Sequence, residues 1–183
     1  MTERVLILID GGNTYRALYK ASFGTAAPLQ KGDKFDYTAF ATYLANKRSV
    51  TAIKYYIGIV RNTDHTSKSE LMVKQQQKFL QILTNQGITI ERGRIVYDNI
   101  PREKGVDVKI AIDLVIGAMR DEYDTVIVVS SDTDLLPAIK FSMSIGKKVE
   151  YVGFSNQFST ALLNESSEKR VFGKQDLTNF VTL

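Results

Sequence analysis

Three aspartates stand at the ends of two apolar runs, where a protein can build a site from oxygen ligands. Asp10 directly follows the run Val5–Ile9, and Asp132 and Asp134 closely follow the run Val126–Val129. Each run is apolar throughout and has the length of a buried strand. In open α/β sheets, ligands bind in the crevice at the carboxyl ends of the strands. The spacing therefore predicts that these carboxylates share one rim of a sheet.

A fourth aspartate, Asp107, opens a predicted helix, Val106–Met119. Apolar residues follow it at i+3, i+4, i+7 and i+11, so Asp107 shares the stripe that faces the core. Carboxylates gathered on one rim repel each other and cannot all stay ionised without a cation. The four aspartates therefore indicate a hard divalent metal, and with it phosphate chemistry.

Each of these aspartates also has a structural explanation. Asp, Ser and Thr favour the N-cap position of helices, and helices are predicted directly after Asp10 and after Asp132. Pro137 fits the first turn of the second of these helices. An acid in a first turn, such as Asp107, complements the helix dipole. Capping and metal binding are compatible, since one carboxylate of a set can cap while another binds the metal.

The composition excludes several other kinds of site. The chain has 183 residues, no Cys and a single His, which excludes thiolate sites, disulfides and zinc sites built on paired histidines. His65 lies in a polar stretch and lacks the partner motif of a serine-histidine triad. The glycines after Asp10 lack the spacing of a dinucleotide-binding loop. Any chemistry of this chain must therefore be carried by carboxylates.

Length and charge set broader limits. The length and an apolar share of 44% are those of one domain with an ample core. The net charge of +4 mildly favours a polyanionic partner. The apolar run at Val5–Ile9 is too short for a signal peptide or a membrane span, so we expect no membrane association and a cytoplasmic location.

The apolar pattern predicts strands that alternate with helices. The predicted strands are Val5–Ile9, Thr51–Val60, Ile88–Glu91 with an extension to Tyr97, Thr125–Val129 and Val149–Val152. The predicted helices are Asn13–Tyr19, Asp36–Asn46, Glu70–Asn85, Val106–Met119 and Leu135–Ile145. Residues 99–105 are predicted to form a basic loop, and the tail to be weakly helical over Gln157–Asn164. This alternation predicts an α/β fold with helices on both faces of a parallel sheet.

Three motifs occur in the same order as those of a known family. They are Asp10-Gly11-Gly12-Asn13, Lys104-Gly105-Val106-Asp107 and Ser130-Ser131-Asp132-Thr133-Asp134. Together they resemble the NYN domain, a branch of the PIN-like nucleases, and within it the bacterial LabA-like group. The resemblance covers roughly residues 4–155 and implies a three-layer Rossmann-like fold with a parallel sheet of order 3-2-1-4-5.

The resemblance also implies an activity, a metal-dependent ribonuclease that uses Mg²⁺ or Mn²⁺. The family's acidic positions, which are catalytic and bind the metal, correspond to Asp10, Asp107, Asp132 and Asp134, and its asparagine corresponds to Asn13. Ser131 stands where the family commonly has Gly, and Leu135 where Phe is usual. Neither departure removes a carboxylate, so both concern local shape more than chemistry.

Basic and aromatic residues near the motifs are candidates for binding RNA. Arg102, Lys104 and Lys109 flank the predicted site and could bind the phosphate backbone. Tyr15 and Tyr97 could stack on bases, although both are equally explained as core or surface aromatics. Asp113 lies about 240° around the helix from Asp107. It is therefore predicted to pair with Lys109 at i−4, with a role in supporting the site from outside the ligand set as the alternative.

The sequence leaves several questions open. We expect a catalytic domain at residues 1–155 and an extension at 156–183 that packs on the same domain, covers the site or contributes to a homodimer. The substrate is expected to be RNA, single-stranded or structured, with DNA as an alternative. A catalytically weak RNA-binding or regulatory module on the same fold is the second candidate function. A Toprim-like phosphotransfer site is the third, although such sites lead with glutamate where this chain has Asp10.

Overall fold

The computed structural model describes residues 2–20, 27–30, 34–97 and 101–182, and only the backbone of residues 101 and 102. Its strands are β1 (Arg4–Asp10), β2 (Lys34–Phe35), β3 (Ser49–Ile59), β4 (Thr89–Tyr97), β5 (Pro101–Lys104), β6 (Thr125–Val129), β7 (Lys148–Phe154), β8 (Glu168–Phe172) and β9 (Val181–Thr182). Its helices are α1 (Gly11–Tyr19), α2 (Tyr37–Ala45), α3 (Ser67–Asn85), α4 (Val106–Met119), α5 (Leu136–Ser144), α6 (Thr160–Glu165) and α7 (Lys174–Leu177). Short 3-10 turns at Thr133–Leu135 and Thr178–Phe180 precede α5 and β9.

A seven-stranded sheet in the order β5-β4-β3-β1-β6-β7-β8 forms the middle layer. Its five central strands are parallel and are the five that the sequence predicts, in the predicted order 3-2-1-4-5. Two edge strands are additional: β8 lies parallel to β7, and β5 lies antiparallel to β4. The α/β fold class is therefore confirmed.

The predicted basic loop at residues 99–105 is wrong over residues 101–104, which form β5. This strand pairs with β4 from Tyr97↔Pro101 to Arg94↔Lys104. Residues 98–100 lie outside the described ranges. Proline and charged residues lower the local strand propensity, and here the free edge of β4 overrides it by supplying hydrogen-bond partners.

The strand β1 lies at the centre of the sheet and separates two apolar layers. Val5, Ile7 and Ile9 pack in one cluster with α1 and α2, whereas Leu6 and Leu8 pack in the other cluster with α4 and α5. Successive side chains of a strand point to opposite faces, so an uninterrupted apolar run is needed to fill both layers. The strand ends at Asp10, which the two layers therefore hold at the rim of the sheet.

The predicted pair between Asp113 and Lys109 is wrong. The Asp113 carboxylate accepts hydrogen bonds from Lys54 Nζ at 3.0 Å and from the Tyr56 hydroxyl at 2.6 Å. Lys109 instead pairs with Glu91, with its Nζ 3.4 Å from the carboxylate. Helix α4 packs against β3 and β4, so side chains of these strands lie within reach of Asp113 and Lys109 and take the place of partners along the helix. The sequence alone shows only the possible partners along the helix.

The chain after β7 continues the same sheet through β8 and contacts the other end of the chain. Asn156 Nδ2 donates to the carbonyl oxygen of Ala17 in α1 at 2.8 Å. The predicted helix over Gln157–Asn164 is shorter and later than expected, because Ser159 caps α6 at Leu162 N–H. Within the described ranges, no helix combines the length and hydrophobicity that a bilayer-spanning segment requires.

Candidate metal centre

Three of the four predicted aspartates converge at the carboxyl end of the sheet. One carboxylate oxygen from each of Asp107, Asp132 and Asp134 lies within 4.8 Å of the other two. Asp107 and Asp132 are half-buried and Asp134 is exposed, so the cluster opens to solvent. A set of carboxylate oxygens without nitrogen or sulfur suits a hard divalent cation such as Mg²⁺ or Mn²⁺. The donor chemistry therefore fits the predicted metal.

Local backbone structure explains how the three carboxylates come together. Asp132 follows β6 and caps the 3-10 turn, since its Oδ1 accepts the Asp134 N–H at 3.0 Å. Gly105 precedes α4 with φ of 78°, a left-handed conformation that glycine adopts at little cost. That turn directs the chain from the edge strand β5 into the first turn of α4, where Asp107 lies. The glycine of the Lys104-Gly105 motif thus has a positional role.

Asp10 is more deeply buried than these three carboxylates, and the charge of Asp132 acts on it. Asp10 is 6% exposed, and its oxygens accept the Asn13 N–H at 2.9 Å and the Ser130 hydroxyl at 3.0 Å. Burial raises the pKa of Asp10, although these two hydrogen bonds and the nearby Arg16 oppose the shift. The N-cap explanation of Asp10 is thus present in the structure, and through Ser130 the same carboxylate contacts the loop that carries Asp132.

Asn13 joins α1 to that same loop. Its Oδ1 accepts hydrogen bonds from the Ser131 N–H at 3.2 Å and the Ser131 hydroxyl at 3.0 Å. Gln157 Nε2, from the chain after β7, donates to the Ser131 hydroxyl at 3.1 Å. Ser131, which stands where the resemblance led us to expect glycine, therefore has polar partners on both sides. Asn13 fixes the loop that begins the Asp132-Thr133-Asp134 segment.

A fifth carboxylate, Glu103, reaches the same rim and was missed in the sequence. Its Oε1 accepts the Gly58 N–H at the end of β3. Burial raises the pKa of Glu103, the Gly58 hydrogen bond lowers it, and the charges of Asp10 and Asp107 raise it further. Glu103 lies four residues before Asp107, and its Oε2 lies against Gly12, two residues after Asp10. The signal that could have found it is an acid directly before Lys104-Gly105, but its position depends on β5, which the sequence did not predict.

The predicted basic and aromatic residues are distributed unevenly around the centre. Lys104 is exposed, whereas Lys109 is occupied by its ion pair with Glu91. The side chain of the predicted phosphate ligand Arg102 lies outside the described residues. Tyr97 uses its hydroxyl to accept the Arg61 N–H at 2.9 Å, so part of its role is structural.

A cation at the three-carboxylate cluster is expected to stabilise the fold. At a Mn²⁺ concentration about 100 times its Kd, binding contributes about 2.7 kcal/mol. That corresponds to a rise in Tm of about 5–10 °C for a domain of this size. Asp134→Asn removes the charge of one exposed candidate ligand and is expected to reduce the rise, whereas Glu165→Gln on α6 is expected to leave it unchanged. Differential scanning calorimetry against Mn²⁺ concentration checks this, and a Tm that never responds to Mn²⁺ contradicts a formed site.

Comparison with known proteins gives a family and a fold. The family model of the NYN domain matches residues 4–171. The chain is 42% identical over 59 residues to uncharacterized protein MJ0482 of Methanocaldococcus jannaschii, which covers 32% of this chain and 25% of that protein. The alignment thus spans about a quarter of the length of that curated relative.

A solved structure is similar over almost the whole chain. It is the crystal structure of a protein of unknown function, VPA0982, from Vibrio parahaemolyticus RIMD 2210633. The two chains superpose with a TM-score of 0.70 and 23% sequence identity, over 99% of this chain and 97% of the other. At this identity the likeness establishes the fold alone.

Proposed function

This chain belongs to the NYN domain family, a branch of the PIN-like nuclease superfamily, and from that premise we propose that it is a metal-dependent ribonuclease that hydrolyses RNA phosphodiester bonds. The observation that carries the proposal is the convergence of Asp107, Asp132 and Asp134 within 4.8 Å. Acids held this close on a rim open to solvent are costly unless a cation compensates their charge. Mg²⁺ or Mn²⁺ bound there would supply a Lewis acid and lower the pKa of a water molecule.

The protein's own part in the reaction is to hold ligands and substrate in place. Asp10, Asp107, Asp132 and Asp134 are the proposed ligands, and carboxylate oxygens of the last three lie within 4.8 Å of one another. Asp132 is fixed by its capping bond, and Asp134 faces solvent, from which the substrate approaches. Asp10 and Asn13, which belong to the proposed catalytic set, support the centre through Ser130 and Ser131. A fixed constellation lowers the barrier because little reorganisation is needed during the reaction.

The proposed substrate is a polyanion, held by positive charge around the centre. The net charge of +4 and the exposed Lys104 support this assignment. Arg102 and Lys109 remain proposed phosphate ligands, and Lys109 would have to exchange its Glu91 partner for a phosphate. Such contacts set the position of the backbone and carry no sequence information.

We assign the catalytic part to residues 1–155 and treat residues 156–183 as an extension that supports it. The hydrogen bond from Gln157 to Ser131 supports this division of roles, because it reaches the loop that precedes Asp132. The parallel pairing of β8 with β7 extends the sheet of the catalytic part by one strand. A role of the extension in a homodimer stays a proposal that the oligomeric state in solution would test.

The test is cleavage of end-labelled RNA by the wild type in Mn²⁺ and in EDTA, with single-stranded, hairpin and matched DNA substrates. We expect cleavage of RNA in Mn²⁺ and none in EDTA, and a loss of cleavage in Asp107→Asn. Equal cleavage by wild type and Asp107→Asn would indicate a contaminating nuclease. RNA binding without any metal-dependent cleavage would contradict the proposal and favour the second candidate, a catalytically weak RNA-binding module.

A further inference from the structure

The carboxylate of Glu103 lies in a niche that two glycines from different elements leave open. A Cβ atom on Gly12 of α1 would lie 2.4 Å from Glu103 Oε2, and a Cβ atom on Gly58 of β3 would lie 2.9 Å from Glu103 Oε1. Any side chain at either position would displace the carboxylate. Gly12 belongs to the Asp10-Gly11-Gly12-Asn13 motif, so the niche forms part of the rim that carries the metal centre.

One oxygen of Glu103 is fixed and the other is free to accept. Oε1 accepts the Gly58 N–H, whereas Oε2 has no hydrogen bond to any residue in the described part of the chain. An ionised carboxylate only accepts hydrogen bonds, so Oε2 selects a ligand that carries a donor. The niche lies against Gly12, two residues after Asp10, and Glu103 itself is four residues before Asp107. A ligand bound at the metal centre therefore passes close to it.

The outer face of α1 next to this niche offers two further contacts for a nucleotide. Arg16 is exposed, and its Nη1 would lie 3.7 Å from the same Gly12 Cβ that meets Glu103 Oε2. Among the described residues, no ion pair involves its guanidinium. Tyr15 is 50% exposed, and its ring centroid lies 5.1 Å from that of Tyr19. A guanidinium can bind a phosphate, and an exposed ring can stack on an unpaired base.

We propose that Glu103 distinguishes RNA from DNA by accepting a hydrogen bond from a ribose 2′-hydroxyl of a single-stranded substrate. The 2′-hydroxyl is the donor that RNA has and DNA lacks, and a protein uses it to tell the two apart. Arg16 binds an adjacent phosphate and Tyr15 stacks on a base, which must be unpaired. The inference rests on the proposed function, because it places a nucleic acid at the metal centre.

The experiment measures binding, so that it does not depend on cleavage. Fluorescence anisotropy in EDTA gives the Kd of a short single-stranded RNA, the DNA of the same sequence and the 2′-O-methyl RNA, which lacks the donor. We expect the wild type to bind the RNA roughly 10-fold more tightly than the other two, since a hydrogen bond to a charged group has about this effect. In Glu103→Gln, the preference for RNA over 2′-O-methyl RNA should disappear, because the amide NH₂ that replaces Oε2 can only donate and both sugars offer it an acceptor.

The glutamine variant isolates the free oxygen. Its single amide oxygen has to keep the Gly58 N–H, so its NH₂ group takes the place of Oε2 and cannot accept. Glu165→Gln, on the distant helix α6, is the matched control and should keep the wild-type preference. Equal binding of RNA and DNA by the wild type, or an unchanged preference in Glu103→Gln, overturns the inference. If the preference responds to Glu103→Gln but the wild type cleaves no RNA in Mn²⁺, the proposed hydrolysis fails and the recognition of the 2′-hydroxyl stands.

Discussion

Asp132→Asn is expected to reduce Mn²⁺-dependent RNA cleavage by about 100- to 1,000-fold, the range seen when a group that stabilises charge in a transition state is removed. The Asp132 carboxylate lies within 4.8 Å of a carboxylate oxygen of Asp107, at the start of α4, and accepts the Asp134 N–H at 3.0 Å. Asp132 therefore links the start of α4 to the turn after β6. Asparagine keeps the oxygen that caps the turn but loses the charge. Initial rates of cleavage, measured over a range of Mn²⁺ concentrations, check this expectation.

The same variant should fold at least as well as the wild type when no metal is present. Asn caps helices about as well as Asp, and the change relieves repulsion from the neighbouring carboxylates. Asp36→Asn is the matched control, because Asp36 caps α2 through Thr38 N–H and Ala39 N–H, away from the centre. It should keep full activity. In EDTA, a loss of more than about 2 kcal/mol in the free energy of unfolding of Asp132→Asn would make Asp132 primarily structural, since losing a cap typically costs about 1 kcal/mol.

Glu150→Ala is expected to lower the free energy of unfolding by about 3 kcal/mol, the lower end of the range for breaking a buried ion pair. The Glu150 side chain on β7 is 5% exposed and binds Arg48 and Arg170 together. Without it, two partly buried guanidinium groups lose their counter-charge. Both arginines keep hydrogen bonds to the Leu44 carbonyl at the end of α2, which limits the loss. Urea denaturation at neutral pH measures the effect.

The pH dependence of this network has a definite sign. Burial alone would raise the pKa of Glu150, but the hydrogen bonds from Arg48 and Arg170 outweigh it and lower the pKa. Its stabilising contribution is therefore complete above the unfolded pKa of about 4.3 and is lost as the pH falls through the lower folded value. The difference between wild type and Glu150→Ala should shrink below about pH 4. Glu165→Ala, whose partner Lys140 is exposed, should change stability by less than about 1 kcal/mol.

Much of the fold could be predicted because its signals are local. The runs Val5–Ile9 and Thr125–Val129 are apolar on both faces, which is the pattern of central strands of a parallel sheet. Helix α4 begins and ends at the predicted residues, since its apolar period and the preceding Gly105 both lie in the sequence. The edge strand β5 and the pairing of Asp113 with Lys54 were not predictable, because both depend on partners distant in the chain.

The same distinction between local and long-range signals applies to the candidate site. Asp10, Asp107, Asp132 and Asp134 could be found because each follows or opens a recognisable element. Tertiary structure decided that Asp107, Asp132 and Asp134 converge within 4.8 Å, and that Asp10 is buried and accepts hydrogen bonds from Asn13 and Ser130. Glu103 was missed because its position depends on an edge strand that has no periodicity of its own.

The sequence by itself determined the order of the elements, the fold class and the supply of carboxylates at the rim of the sheet. Hydrophobic period and capping residues act over a few neighbours, so they can be read along the chain. Tertiary structure alone decided which oxygens lie within 4.8 Å, which are already hydrogen-bonded, and that Glu103 fills the space left by Gly12 and Gly58. Those distances are set by how strands pair and helices pack, and a difference of a few ångströms separates a ligand from a supporting residue.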